Sequence, residues 1–492
     1  MTRPTDEAVR SWWAEVSTAA LFGTGRRPLP PVPPGMPSRP AATPEIALLD
    51  AAALGAALTR AGRHPEAGTV DGPGDRTTPA DPDRRTEPNP RARQLLELII
   101  SQSPAGPRLQ RRLLQHWLTA AAASDHRIPH RWLPTVIELA RRDTALQPLV
   151  KITADARGRW LGGLQPEWGW LLQDPDAPID PQQWARQSTA ERVQAVRRLR
   201  ERDPAAVRDL IACTLPTDGA QDRATLLNCL RINLGPDDES LLEQGLDDRS
   251  MLVRATAARL LDGLPGSARA QRMAERLTPL LAEPGASDQR LIIDLPTTPT
   301  DVGVRDGLGR PPTRRSERGY WLERLAAGAP LTVWTTVTGR DPAHSWAMIT
   351  DDDARHGIVA AVLARNDRRW ARAIAPQADI PELYRLLPLK EWDPLAAAAV
   401  ARLTTGAKVR TMIESAPAPW GPDFSRAAID TVTRLKGRLS ELLDPMAHGL
   451  HPAALGRLTE LATGAGDFAA REAAGRLTQY LTLTTEITEA LR

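Results

Sequence analysis

The chain has 492 residues, 41% of them apolar, and its 63 basic and 60 acidic residues leave a net charge of +3. That length exceeds one compact globule and indicates several domains or one extended array. The near-balance of charge argues against a uniformly basic nucleic-acid binder, whose mark is a basic face or stripe.

Helical spacing recurs from end to end, while the period-two alternation of strands is almost absent. Residues 8–22 and 44–60 read as the helices of an N-terminal region, 1–63. The first carries Trp12 and Trp13 and runs into the stretch ALFGTGRRPLPPVPP, Ala20 to Pro34. This stretch lacks the Lys-Ser/Thr of a phosphate-binding loop, and no strand precedes it. It reads as a glycine stop at a helix C-terminus, where Arg26 and Arg27 suit the dipole. Residues 64–91 are rich in Pro, Gly, Asp and Arg and bury too little to order themselves, so they read as a flexible linker or insertion.

A helical region follows over 92–175, with helices at 93–101, 107–123, 129–142 and 145–156. The stretch RGRWLGGLQPEWGWLL, 157–172, reads as a packed turn region filled by Trp160, Trp168 and Trp170. Residues 181–283 then repeat at a shift of 31: Arg192, Arg223 and Arg254 align, as do Val196, Leu227 and Ala258, Leu199, Leu230 and Leu261, and Ile211, Leu242 and Met273. A period in this range signals stacked units that cannot bury their apolar faces alone. Residues 284–318 read as an irregular excursion, marked by Pro284, Gly285, Pro299, Pro311 and Pro312 and by the cluster Arg310, Arg314, Arg315 and Arg318. A second helical region covers 320–492. Its last helix, 466–483, carries Phe468, Ala473 and Leu477 on one side. The expected fold is all-α: an α-solenoid with HEAT-like repeats and flanking helical regions.

The unit LLEQGLDDRSMLVRATAARLLDGLP, Leu241 to Pro265, places Val253, Ala257, Leu260, Leu261 and Leu264 on one helix face. Its Asp-turn-x-Val-Arg order resembles a HEAT repeat. That resemblance implies Asp–Arg pairing across neighbouring units, with Asp248 and Arg254 as the candidates. The landmarks SWWAEVSTAALFGTGRRPLP, WLGGLQPEWGWLL, RRLRERDPAAVRDL and WLERLAAGAPLTVW together resemble an uncharacterised family of bacterial helical-repeat proteins. The resemblance implies company rather than chemistry. Members of that family tend to be encoded beside a MoxR-type AAA ATPase, a SWIM zinc-finger protein and a von Willebrand factor A domain protein.

The residues offer little chemistry. His126 and His130 have nominal metal spacing, but Pro129 lies between them and no HExxH is formed. His448 and His451 sit at a helix break with no third ligand nearby. Asp351, Asp352 and Asp353 suit a helix start better than a calcium loop. Cys213 and Cys229 lack CxxC partners and read as small buried apolar residues in a reducing compartment. Arg197, Arg198, Arg200 and Arg202 point in separate directions around one helix and read as a solvated surface. The 14 tryptophans read mostly as core, although Trp12 and Trp13 cannot both face the same way. No apolar stretch approaches the ~20 residues of a membrane helix, and no signal peptide is read.

The expectation is a cytoplasmic, non-catalytic protein-protein scaffold or adaptor, with no cofactor or metal. Its expected partner is an AAA ATPase or a von Willebrand A domain protein, met through Trp12, Trp13, Arg26 and Arg27. Two alternatives stay open: nucleic-acid binding on a basic concave face, and a catalytic site assembled from residues distant in sequence.

Overall fold

Prolines in an all-helical chain need positions where a missing N–H costs nothing. Pro90, Pro107, Pro204, Pro342 and Pro422 take them, each in the first turn of a helix. Side chains cap neighbouring starts: Asn89, Asp203, Asp341, Asp351 and Asp367 each accept a first-turn amide. Ser188 and Glu191 form a reciprocal capping box.

The structure is a computed structural model that describes residues 6–38, 40, 41, 43–61, 79–173, 184, 186–282, 289–311, 315–435, 439–464 and 467–492. It is all-α, and among these residues the only β pairing is two isolated bridges, Thr86 with His126 and Leu281 with Ile293. Two units divide at Pro79/Ala80. The first holds α1 (Asp6–Phe22) and α2 (Pro44–Ala61). The second opens with α3 (Pro90–Gln102), α4 (Pro107–Ala123), α5 (Leu133–Arg142), α6 (Gln147–Thr153) and α7 (Asp155–Leu164).

The repeat region comprises α8 (Thr189–Arg200), α9 (Pro204–Thr214), α10 (Ala220–Asn228), α11 (Glu239–Gly245), α12 (Met251–Leu261) and α13 (Ala268–Leu277). After the excursion with its short α14 (Asp301–Arg305) come α15 (Glu317–Gly328), α16 (Thr332–Thr338), α17 (Pro342–Met348), α18 (Asp352–Arg365), α19 (Arg368–Ile374) and α20 (Pro381–Tyr384). The chain ends with α21 (Leu389–Arg402), α22 (Gly406–Ser415), α23 (Pro422–Arg434), α24 (Leu443–Gly449), α25 (Leu455–Thr463) and α26 (Phe468–Ala490).

Helices pack on near neighbours in chain order: α8 on α10, α10 on α12, α13 on α15, α15 on α18, α21 on α23, α25 on α26. Gly357 brings α15 and α18 together, because a Cβ there would sit 2.3 Å from the Glu323 carbonyl oxygen. One join departs from chain order. The last helix, α26, packs on α3 and α4, so the block that opens the second unit covers the far end of the row. His116 Nε2 lies 3.1 Å from the Thr484 carbonyl and 3.0 Å from Thr488 Oγ1 across this seam, and Arg112 grips Asp444 beside it.

The 31-residue register is the register of the core. Val196, Leu227 and Ala258 are buried, as are Ile211, Leu242 and Met273, and Leu230 and Leu261. Val253, Ala257, Leu260, Leu261 and Leu264 are all buried, as the face read from the sequence requires. Nine tryptophans are buried and the other five half-buried.

Several local expectations change. Residues 157–172 are largely helical, forming α7 and a 3-10 turn over Pro166–Leu171, because Gly162 lets Leu171 and Trp168 fold back against the helix. Arg200 is buried, held by Asp238 and by the carbonyls of Ile232 and Pro204. Arg197, Arg198 and Arg202 remain exposed. Cys229 is buried but Cys213 is exposed. Ala473 and Leu477 are buried, whereas Phe468, in the first turn of α26, is 71% exposed.

Of the linker 64–91, residues 64–78 lie outside the described residues, as do Pro284, Gly285, Pro312 and Arg314. Residues 83–87 form an anchored strap. Asp155 Oδ2 accepts the amides of Arg84 and Arg85 at 2.6 Å each, and Asp83 accepts the Arg157 amide at 3.0 Å.

Candidate interaction surfaces

Helix α1 has one apolar face and ends on two exposed apolar residues. Trp12, Val16 and Ala19 share one face and are buried against α2, around Ala51. Trp13 packs half-buried beside them, its ring 6.3 Å from that of Trp12. Leu21 stands nine residues beyond Trp12, about 180° around the helix, and is 86% exposed; Phe22 is 60% exposed. The same holds in α2, where Ile46 and Leu49 turn away from Ala51 and are 45% and 69% exposed.

The loop between the helices begins as a glycine cap. Gly23 has φ +83° and donates to the Ala19 carbonyl, and its own carbonyl accepts the amides of Arg26 and Arg27. The two arginine side chains are exposed. Thr24 Oγ1 donates to Glu45 at 3.0 Å, which sets the end of α1 beside the start of α2. Leu21, Phe22, Ile46, Leu49 and the two arginines therefore gather at one end of the first unit. Of the residues singled out in the sequence, Arg26 and Arg27 belong to this surface, whereas Trp12 and Trp13 form the small core beneath it. Apolar residues inside a helical pattern read as core, so the sequence alone did not mark Leu21 or Phe22.

The aligned arginines form a ladder. Arg192 pairs with Asp218 at 2.9 and 3.0 Å, and Arg223 pairs with Asp248 at 2.8 Å through both nitrogens. Of the two candidates for pairing across units, Asp248 makes such a pair and the Arg254 side chain meets main-chain carbonyls instead. The Asp248 carboxylate takes the arginine of the preceding unit, and Arg254 donates to the Asp248 main-chain carbonyl at 2.7 Å. The Asp in each turn is one unit ahead of the Arg it meets, so each pair ties neighbouring units together.

Beyond the ladder, two buried carboxylates knot α12, α13, α15 and α18. Asp262 takes Arg269 at 2.6 Å and Arg324 at 2.7 Å. Asp306 takes Arg272 and Arg276. Burial raises both carboxyls, but the paired guanidinium groups outweigh it and hold each below the usual carboxylate range. Arg365 has no carboxylate partner in this knot; it donates to the carbonyls of Asp262, Ala327, Gly328 and Ala329, and burial pulls it down to about 10.

The histidine pair read as weak metal spacing holds the strap. His126 Nδ1 lies 3.0 Å from Thr86 Oγ1, and His130 Nε2 lies 2.7 Å from Asp83. Asp351 caps α18 through the Ala354 amide. Among the described residues, one group has metal-like geometry: Glu323, Asp353 and His356 approach within 4.8 Å of one another. Arg315 already pairs with both carboxylates, at 3.0 Å to Asp353, and supplies the cation there. A groove of about 650 Å³ along α23 is lined by Asp423, Arg426, Asp430, Arg434 and Arg457, with Arg457 on Asp430 at 2.8 Å and Arg434 on the carbonyls of Ala401 and Leu403. No described helix is long and apolar enough to cross a membrane.

Residues 15–491 match the model of a family of unknown function, DUF5691, and the chain belongs to that family. No curated protein and no solved structure matches.

Proposed function

Starting from membership of a family without an assigned activity, we propose that the chain is a non-catalytic scaffold, an α-solenoid of HEAT-like units whose N-terminal helix pair docks a partner protein. One observation carries this reading: Leu21 and Phe22 in the last turn of α1 and Ile46 and Leu49 in α2 stand exposed. Large apolar side chains that cluster on a surface mark a contact site. Among the described residues, the buried apolar side chains of this unit are Trp12, Val16, Ala19 and Ala51, a small core. Covering four large apolar residues beside Arg26 and Arg27 suits a protein surface that is apolar with an acidic margin.

The partner we assign is a MoxR-type AAA ATPase or a von Willebrand A domain protein. The support is the gene company that the resembled family keeps, which is association and not contact. Any nucleotide chemistry belongs to that partner.

The test is affinity purification from the host at low salt, with and without nuclease, comparing the natural chain with Leu21→Ser/Phe22→Ser. The reading requires an ATPase or von Willebrand A protein that survives nuclease and is lost with the variant. Recovery that is unchanged by the variant contradicts the docking face. Recovery of nucleic acid alone replaces the scaffold with the nucleic-acid reading.

A further inference from the structure

The excursion between the two halves of the second unit does more than connect them. Its extended stretch pairs with the segment that follows α13 through the Ala282–Ile292 and Asp294–Leu280 backbone bonds, and Leu291 donates to the Met348 carbonyl. Arg318 pins the next turn by donating to the Pro296 carbonyl at 2.9 Å and also to that of Leu295. Held this way, residues 296–300 form one wall of a partly enclosed pocket of about 210 Å³. Its floor is apolar: Leu280, Leu308, Trp321 and Leu325. The Trp321 indole N–H is already spent on the Gly309 carbonyl at 3.0 Å, so what the ring offers the pocket is apolar.

Two further observations define an occupant. The first is charge. Among the described residues of the lining Arg276 is the one ionisable side chain, and its guanidinium donates to Asp306 at 2.8 Å. The surrounding knot balances three arginines, Arg272, Arg276 and Arg305, against Asp306, Glu243 and Asp247. A pocket neutralised from within favours an uncharged guest, because a charged one would lose hydration without gaining a free partner. The second is the apolar surface next in sequence to the wall residues. Leu295, next to Pro296, is 37% exposed, and Val302 and Val304, either side of Gly303, are 52% and 50% exposed. The volume is below the roughly 300–1,000 Å³ of small-molecule sites. One buried anchor ringed by apolar contacts is the form of a protein-interface hot spot.

We propose that this pocket is a second docking point, which receives a single large uncharged apolar side chain from a partner protein while Leu295, Val302 and Val304 cover its flanks. It is independent of the N-terminal face: either surface can fail without the other.

The test uses the full chain labelled with 5-fluorotryptophan, with the Trp321 resonance identified as the one lost in Trp321→Phe. The probes are the N-acetyl amides of leucine, phenylalanine and tryptophan, with that of aspartate as control. At least one apolar amide is expected to shift the Trp321 resonance with a dissociation constant on the order of millimolar, as one side chain without its flanks would give. The aspartyl amide should bind at least about tenfold more weakly. Thr298→Glu, an exposed change at the pocket wall, should weaken the apolar amide similarly, and Thr298→Val should preserve it. A thermal melt shows that both variants are folded. No shift with any apolar amide, an equal shift with the aspartyl amide, or indifference to Thr298→Glu each overturns the proposal.

Discussion

Arg200 and Asp238 lie at opposite ends of a repeat in sequence and meet with almost no exposure, 0% and 1% for their side chains. Breaking a buried pair from one side leaves the other charge short of partners, Asp238 keeping only Arg208 at 3.3 Å among the described cations, so Arg200→Met should cost roughly 3 kcal/mol. Arg223→Met should cost less, since its partner Asp248 is nearer solvent, and Arg254→Met least, because it meets only carbonyls. Urea unfolding of the three variants gives the order; equal losses at Arg200 and Arg254 would contradict it. His116 adds a pH dependence of defined sign. Burial between α4 and α26 holds its pKa below the ordinary value of 6.5. The unfolded chain therefore binds a proton there that the folded chain does not, and stability falls as pH drops below about 6.5. His116→Gln should flatten this decline between about pH 6.5 and 5, above the range in which Asp444, held low by Arg112, begins to titrate. Identical pH profiles for variant and natural chain would show that His116 contributes nothing.

Among the elements, α26 is the one whose loss reaches furthest in sequence. Its buried face, with Ala474, Leu477 and Leu481, packs with α3, α4, α24 and α25. Deleting residues 468–492 should loosen the block around α4 as well as the C-terminal pair, and limited proteolysis should then cut within 107–123. A block that stays resistant would mean that it holds without α26. This seam was not legible in the sequence, because a 31-residue period describes neighbours in chain order and says nothing about a first block that covers the last helix. The helices themselves were legible: α4 begins and ends where the proline start and apolar period place it, and α1 stops at Gly23 as the glycine cap requires. The strap at 83–87 was hidden because its order comes from Asp83, Asp155 and His130, polar residues that composition counts toward disorder.

At the scale of the molecule, the repeat made the all-α class and much of the core readable, since aligned apolar positions must meet to be buried. The surfaces were less readable. Leu21 and Phe22 carry the same apolar signal as Val16, and only the packing of α2 tells which of them is covered. The central claim is that this uncovered face docks a protein. The most direct measurement is calorimetric titration of the purified chain with a MoxR-type ATPase and with a von Willebrand A domain protein from the same host. Each titration is repeated with Leu21→Ser/Phe22→Ser and with Arg26→Glu/Arg27→Glu. The claim predicts saturable binding of at least one of them, weakened about tenfold or more by the apolar variant. The charge variant should also weaken it, most strongly at low salt. No binding to either protein, or binding that both variants leave unchanged, would contradict it.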